Sequence, residues 1–397
     1  MRVLLLHNRY QIQGGEDVVV AQEAEMLRSF GIPVDVFEIT NDSISTVQDK
    51  IYTTVHLAYS SRMRKQVRER IRSFRADVVH VHNFFPRFTP SVYDAANTEG
   101  CGVVQTLHNY RLMCANGYLF REQKICTDCL TQGSAWPALV HRCYRGSAVG
   151  TAALTGMVAY HKIRRTWRDR IGRFITLTAF ARSLFIEHVG LPADRVIVKA
   201  NVVPDIGVAP GDKKYALFVG RLSPEKGIGS ILRAAKSGMF PLPLMIVGSG
   251  PMENEVRATA ELGQLEFLGK RSSEEVHLLL QRAKMLLAPS MWHEAGVPLV
   301  IGEAFSAGVP VITSRIKPID SVVEHERNGL LVTPGSEQEI CEAAARLHSD
   351  RESLVRMGIE ARQTYEQLYL PANNVRALLD IYTDAIEVAK QPLSAEA

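Results

Sequence analysis

Two short stretches carry the residue types that anion and sugar chemistry need. The first is Val219-Gly-Arg-Leu-Ser-Pro-Glu-Lys-Gly227, where an apolar run ends, an arginine follows, and a lysine comes five residues later. Arg221 in the strand-to-helix turn and Lys226 near a helix start, with that helix's first amides, make a cradle for a diphosphate. No Asp-x-Asp pair stands near it, so the two cations would take the place of a divalent ion. Arg-x4-Lys by itself also suits an ordinary surface pair. The second stretch runs from Pro289 to Gly308 and holds Glu294 and Glu303. A strand ends at Ala288, and a loop carries Glu294 toward a helix beginning near Pro298, whose N-terminus would aim the amides of Gly296 and Val297 at a ligand. Glu303 lies further along that helix, which Gly308 ends. Carboxylates beside an anion site suit the hydroxyls of a sugar.

Histidines end two strands of the first half. His108 lies in Thr106-Leu-His-Asn109, and a capping role is its plain alternative. His80 and His82 fall two residues apart on one face of a strand, so at most one should reach the edge of a site, in an acceptor role. Four of the six cysteines (Cys114, Cys126, Cys129 and Cys143) crowd together, the middle two as Cys-x2-Cys. In a reducing compartment that set suggests a structural zinc, with His141 as a substitute ligand; four reduced thiols in a compact insertion is the alternative. Cys101 and Cys341 are isolated and read as core residues.

The elements that must position these residues follow from length and periodicity. A chain of 397 residues, 46% hydrophobic and 22% charged, is too long for one core and too apolar for disorder. Apolar runs of strand length alternate with helical periods throughout, as in doubly wound α/β architecture. Strands are expected at 3–6, 34–39, 77–81, 103–107, 174–178 and 196–199. After a turn-rich linker at 206–212 they resume at 215–219, 244–247, 265–268, 285–288 and 309–313. A helix from Glu16 to Phe30 closes on Gly31, and another runs from Asn374 to Lys390. The expected fold is therefore α/β, with two Rossmann-like parallel-sheet domains facing a central cleft. Residues 1–205 form the first domain, with a Cys-rich insertion at 110–146. Residues 206–373 form the second, and 374–397 return toward the first.

Charge divides unevenly. Residues 1–205 hold 26 basic and 18 acidic side chains, the remainder 20 and 24. Positive charge concentrates at 62–75 and 162–173, each segment interleaved with apolar residues. Both resemble basic amphipathic helices that would rest on an anionic membrane, or plain solvated helices whose apolar side packs inward. Nucleic acid is not expected as a partner, since no aromatic stacking platform or binding motif accompanies the charge. No apolar run approaches the roughly 20 residues of a membrane span, and the first residues do not read as a signal peptide. A cytoplasmic protein is expected, peripheral at most on the inner face of the membrane.

Taken together, the motifs resemble the family-four retaining glycosyltransferases of the GT-B fold. The likeness rests on Gly14-Gly15-Glu16, the arginine–lysine pair, Val247-Gly-Ser-Gly-Pro251, Phe267-Leu-Gly-Lys270 and the paired glutamates, in that family's order. It implies a metal-independent transfer of a hexose-type sugar, with retention, from a UDP- or GDP-linked donor to a saccharide or lipid-linked acceptor. Arg221 and Lys226 would hold the diphosphate, Glu303 the ribose, and Glu294 with Gly296 and Val297 the transferred sugar. Gly15 and Gly248 would let backbone approach the donor. Lys270 and Arg271 would lie by the base, and His108 would touch the sugar and support its developing positive charge. One departure stands: Glu294 and Glu303 are separated by eight residues where the family has seven, which places Ala295 at the strict spacing. A sugar-nucleotide 2-epimerase of the same fold, or a non-catalytic sugar-nucleotide binder, would share the architecture. Label passing from donor to acceptor, or donor hydrolysis, separates these from a transferase.

Overall fold

The computed structural model describes residues 1–10, 14–42, 44 and 46–391. Two six-stranded sheets, parallel throughout, account for the two series of apolar runs. In the first, β1 (Val3–Arg9), β2 (Val34–Thr40), β3 (Val78–Asn83) and β4 (Gly102–Leu107) precede a small antiparallel hairpin, β5 (Phe120–Arg121) and β6 (Lys124–Ile125). Then follow β7 (Arg173–Thr176) and β8 (Val196–Val198), giving the order β2-β1-β3-β4-β7-β8. The second sheet comprises β9 (Tyr215–Val219), β10 (Leu244–Val247), β11 (Glu266–Gly269), β12 (Ala283–Ala288), β13 (Val311–Ser314) and β14 (Gly329–Val332). Its order is β11-β10-β9-β12-β13-β14.

Continuous burial explains why the central strands read as uninterrupted apolar runs. Val3 to Leu6 of β1 are shut off from solvent completely, because helices cover both faces of a parallel sheet. Strand order reverses between β1 and β3 in the first sheet and between β9 and β12 in the second. Such switch points splay the following loops apart and leave room for a ligand. Gly15 follows β1; Arg221 and Lys226 follow β9; Glu294 follows β12.

Chain compactness divides the molecule into two units. One holds residues 1–118, 127–202 and 371–397, the other 119–126 and 203–370. The final helix, Pro371–Lys390, begins three residues earlier than its periodicity suggests and packs on the first sheet. Its backbone runs so close to β4 that a Cβ on Gly102 would fall 2.7 Å from the Ile386 amide nitrogen. Asn374 donates from Nδ2 to the Ala200 carbonyl at 2.9 Å.

The basic segment at 62–75 forms the helix Ser61–Phe74 with Met63, Val67 and Ile71 turned inward. Arg68 and Arg72 meet Glu99 at 2.7 and 2.8 Å, and Arg70 meets Asp35. The inward-packing reading therefore describes this helix. In the second segment Trp167 and Ile171 are buried, but Ile163, beside Lys162, Arg164 and Arg165, is 82% exposed. Among the described residues no helix is long and apolar enough to cross a membrane.

Candidate functional site

In the second unit, the loop after β9 and the loop after β12 are held together by backbone. Met291 donates its amide to the Glu225 carbonyl at 2.8 Å. Gly227 turns the first loop at φ +74, where a Cβ would overlap the Pro289 carbonyl oxygen. Only glycine meets both demands. This seam brings Lys226 to Glu294: Nζ and Oε1 lie 2.6 Å apart. Ser290 donates from Oγ to the same oxygen at 2.8 Å, and the ammonium lies 5.6 Å from the centre of the Trp292 ring. Glu294 and Ala295 are buried, so the extra residue of this loop leaves the carboxylate fixed against Lys226.

Arg221 behaves differently from Lys226. It is exposed, and among the described residues its guanidinium has no ion-pair partner. A permanent cation without a counter-ion at a strand end is poised for an anionic ligand.

Gly248 follows β10 at φ +148, and a Cβ there would overlap the Gly220 carbonyl; a Cβ on Gly250 would come 2.5 Å from the Leu222 oxygen. Close packing between the β9 and β10 turns thus explains Gly248 without any ligand. Lys270 and Arg271 lie exposed just beyond β11, Arg271 with Glu275 at 3.2 Å. Glu303, in the helix Leu299–Ser306, is nearly buried and has His277 Nε2 3.5 Å from its Oε1. Gly296 and Val297 are half-buried in the loop before that helix.

In the first unit the helix Gly15–Ser29 starts directly at the end of β1's loop. Asp17 closes its first turn: the Gly14 amide donates to Oδ2 at 2.7 Å, while Oδ1 meets His7 Nε2 at 2.8 Å. Nothing lies within 4 Å of a Cβ built on Gly15. No packing demand accounts for glycine at that position. Beside it, burial pushes the Glu16 carboxyl up to about 7, against the pull of His7 and Arg111 and the hydrogen bond from Tyr10. Arg111 itself stacks on Phe85, 4.5 Å from the ring centre.

His108 is the first residue past β4 and is half-buried. Its Nε2 lies 2.9 Å from His82 Nδ1, with the rings nearly parallel at 5.2 Å. His80 and His82 are both buried and lie against Glu23 of the first helix, within the expectation that at most one would reach the edge of a site. The shared face is right, but it is the inner one. The four clustered cysteines are half-buried in the insertion, and His141 is exposed. Cys129 lies in the short helix Asp128–Thr131, and the Cys143 amide caps the helix Trp136–Val140 through Ala138.

Reasoning from motifs missed Glu23, Lys199, Tyr10, Arg111, Trp292 and His277. Of these only Trp292, within the Glu294 loop, had a local signal.

Two parallel sheets with anion-suited loops at their switch points find counterparts among known proteins. The profile of Glycosyltransferase Family 4 matches residues 13–205, and that of Glycosyl transferases group 1 matches residues 203–364. The chain belongs to the family-four glycosyltransferases of the GT-B fold. The O-antigen chain mannosyltransferase C of Escherichia coli is 30% identical over 179 residues, 44% of this chain and 47% of that protein. The D-inositol 3-phosphate glycosyltransferase of Nocardia farcinica is 25% identical over 94% of this chain and 85% of its own length. The chain spans about half the length of the first relatives it matches. Among solved structures, Anabaena Alr3699/HepE in complex with UDP superposes with a TM-score of 0.65 at 17% identity, covering 96% of this chain and 100% of that one. Sucrose-phosphate synthase of Thermosynechococcus elongatus gives 0.70 at 17% identity, over 98% and 100%. Both share the fold.

Proposed function

We propose that the chain moves a hexose-type sugar, with retention and without a catalytic metal, from a UDP- or GDP-linked donor to a saccharide or lipid-linked acceptor. The reading is carried by the backbone seam that fixes the Lys226–Glu294 pair in the loop that also carries Arg221, a cation with no ion-pair partner among the described residues. Donor binding would draw Lys226 from Glu294 to the diphosphate, releasing the carboxylate to accept from sugar hydroxyls. Arg221 and Lys226 then stabilise the charge gathering on the departing phosphate. The bond from the anomeric carbon to the phosphate oxygen breaks, the bond to the acceptor oxygen forms on the same face, and the acceptor's proton passes to the phosphate. No protein nucleophile is required.

Glu303 receives the ribose, Gly296 and Val297 the sugar, and Lys270 with Arg271 the base. Gly15 and His108, on the first unit, take the phosphate-approach and sugar-contact roles of the family. Relatives named as mannosyltransferases of O-antigen and of phosphatidyl-myo-inositol favour a role in surface polysaccharide or glycolipid synthesis. The exposed Ile163 among basic residues would serve contact with anionic lipid. The cysteines Cys114, Cys126, Cys129 and Cys143 offer an all-sulfur set suited to structural zinc; zinc measured below one equivalent per chain removes that part.

The test is thermal stabilisation by a panel of UDP- and GDP-hexoses, then transfer from the stabilising donor with the product anomer read by NMR. Retention, with rates indifferent to chelator, is expected. Inversion, or activity lost to chelator and restored only by magnesium or manganese, would refute the proposal.

A further inference from the structure

Inside the first unit, three metal-binding side chains converge at a point that the proposed reaction does not use. His80 and His82 alternate onto one face of β3, and His-x-His spacing lets a strand offer two imidazoles to one place. Glu23 approaches that place from the helix Gly15–Ser29: its Oε1 lies 3.1 Å from His80 Nδ1 and 3.2 Å from His82 Nε2. All three side chains are at least nine-tenths buried, and one donor atom from each falls within 4.8 Å of the others. The three belong to the same compact unit.

Hydrogen bonding does not account for this approach. Glu23 Oε1 and His82 Nε2 face each other, yet both are buried polar atoms without a hydrogen-bond partner. Orphaned polar atoms in an interior are costly, so the two together point to something that satisfies both. A divalent ion about 2.0–2.1 Å from each donor of a tetrahedral set holds the donors roughly 3.3–3.4 Å apart, close to the two spacings found here. The outward ring nitrogens are engaged, as they are in ligating histidines: His80 Nε2 is 2.7 Å from Thr106 Oγ1, and His82 Nδ1 is 2.9 Å from His108 Nε2. The Tyr382 hydroxyl adds an oxygen 2.8 Å from His80 Nδ1, and an ion would exchange that hydrogen bond for coordination.

We propose that Glu23, His80 and His82 form a structural site for a divalent cation of the zinc type, separate from the donor chemistry. Two imidazoles and one carboxylate are a zinc donor set, whereas magnesium and calcium favour oxygen alone. Shut away from solvent, the ion takes no substrate; it pins the helix Gly15–Ser29 to β3 from within. Lys199 Nζ lies 3.4 Å from Glu23 Oε2, so it occupies the second carboxylate oxygen and leaves Oε1 to the ion. Its like charge also limits the affinity. Removing that ammonium should therefore strengthen metal binding, which a merely hydrogen-bonded cluster would not show.

The test unfolds the full chain in denaturant with chelator and refolds it with cobalt(II) or zinc, or with neither. Wild type should take up one equivalent of cobalt whose visible absorption lacks a thiolate charge-transfer band, which separates this site from the cysteines. The zinc-refolded chain should melt above the metal-free one. His82→Phe should lose the thiolate-free cobalt, and Lys199→Met should bind it about tenfold more tightly or better. Absence of thiolate-free cobalt from both wild type and Lys199→Met, or equal uptake by His82→Phe, would overturn the site. Should His82→Phe fail to fold, an unchanged or weakened affinity in Lys199→Met overturns it instead. Neither result bears on sugar transfer, whose indifference to chelator is read separately on the folded chain.

Discussion

Replacing Gly15 and Gly227 separately by alanine distinguishes a glycine kept for a ligand from one kept for the chain. At Gly15 a methyl meets open space at the first position of a helix, where alanine is favoured over glycine by up to about 1 kcal/mol. Melting of Gly15→Ala should stay level or rise slightly. If Gly15 has its proposed role of admitting the donor phosphates, the methyl would obstruct them and donor KM should rise tenfold or more, equivalent to about 1.4 kcal/mol. At Gly227, φ of +74 costs a side-chain-bearing residue roughly 1–2 kcal/mol. Overlap with the Pro289 carbonyl adds roughly 1–3 kcal/mol of overpacking. Melting should fall by roughly 5–15 °C in a unit of this size. Scanning fluorimetry and donor-dependent rates on both variants decide the matter. Unchanged kinetics in Gly15→Ala, or unchanged melting in Gly227→Ala, would refute the assignment of that glycine.

Arg221→Ala should reduce turnover by about a hundredfold or more while leaving the melting temperature nearly unchanged, since the exposed guanidinium holds no ion pair among the described residues; kcat and calorimetry read the two effects. Lys226→Met should abolish donor-induced thermal stabilisation, and Glu294→Gln should preserve nucleotide binding but lose discrimination among sugars, both visible in the donor panel. Glu16 gives a pH signature. Its folded carboxyl titrates at about 7 against an ordinary 4.5, so its stability contribution is intact below pH 4.5 and lost as pH rises through 7, by about 3 kcal/mol in all. Denaturant unfolding of Glu16→Gln should match wild type near pH 5 and exceed it near pH 8; parallel curves would exclude this.

Eleven of the twelve strands of the two large sheets were legible to within about three residues, because runs such as Val3–Leu6 are buried on both faces and need no polar interruption. The last, β14 (Gly329–Val332), was not read from the sequence. Arg221, Lys226 and Glu294 stood out as candidates because each lies just beyond a strand. The Glu23 network was hidden for the opposite reason. Glu23 occupies an ordinary turn of an amphipathic helix, and its partners come from β3 and from just past β8, distant in sequence. Strand alternation set His80 and His82 on one face but not on which side of the sheet that face lay. Only packing decides that, through the helix that covers it.

The Pro371–Lys390 helix has a bearing on how the protein is made. Its Val375, Leu378, Ile381, Tyr382 and Ala385 complete the core beneath β1, β3 and β4, yet residues 203–370 must leave the ribosome first. The N-terminal half therefore waits, with that face of its sheet bare, while its neighbour is synthesised and folds. A fragment ending near residue 205 should be captured by chaperones or precipitate. Adding the 371–390 peptide in trans would be the way to recover it.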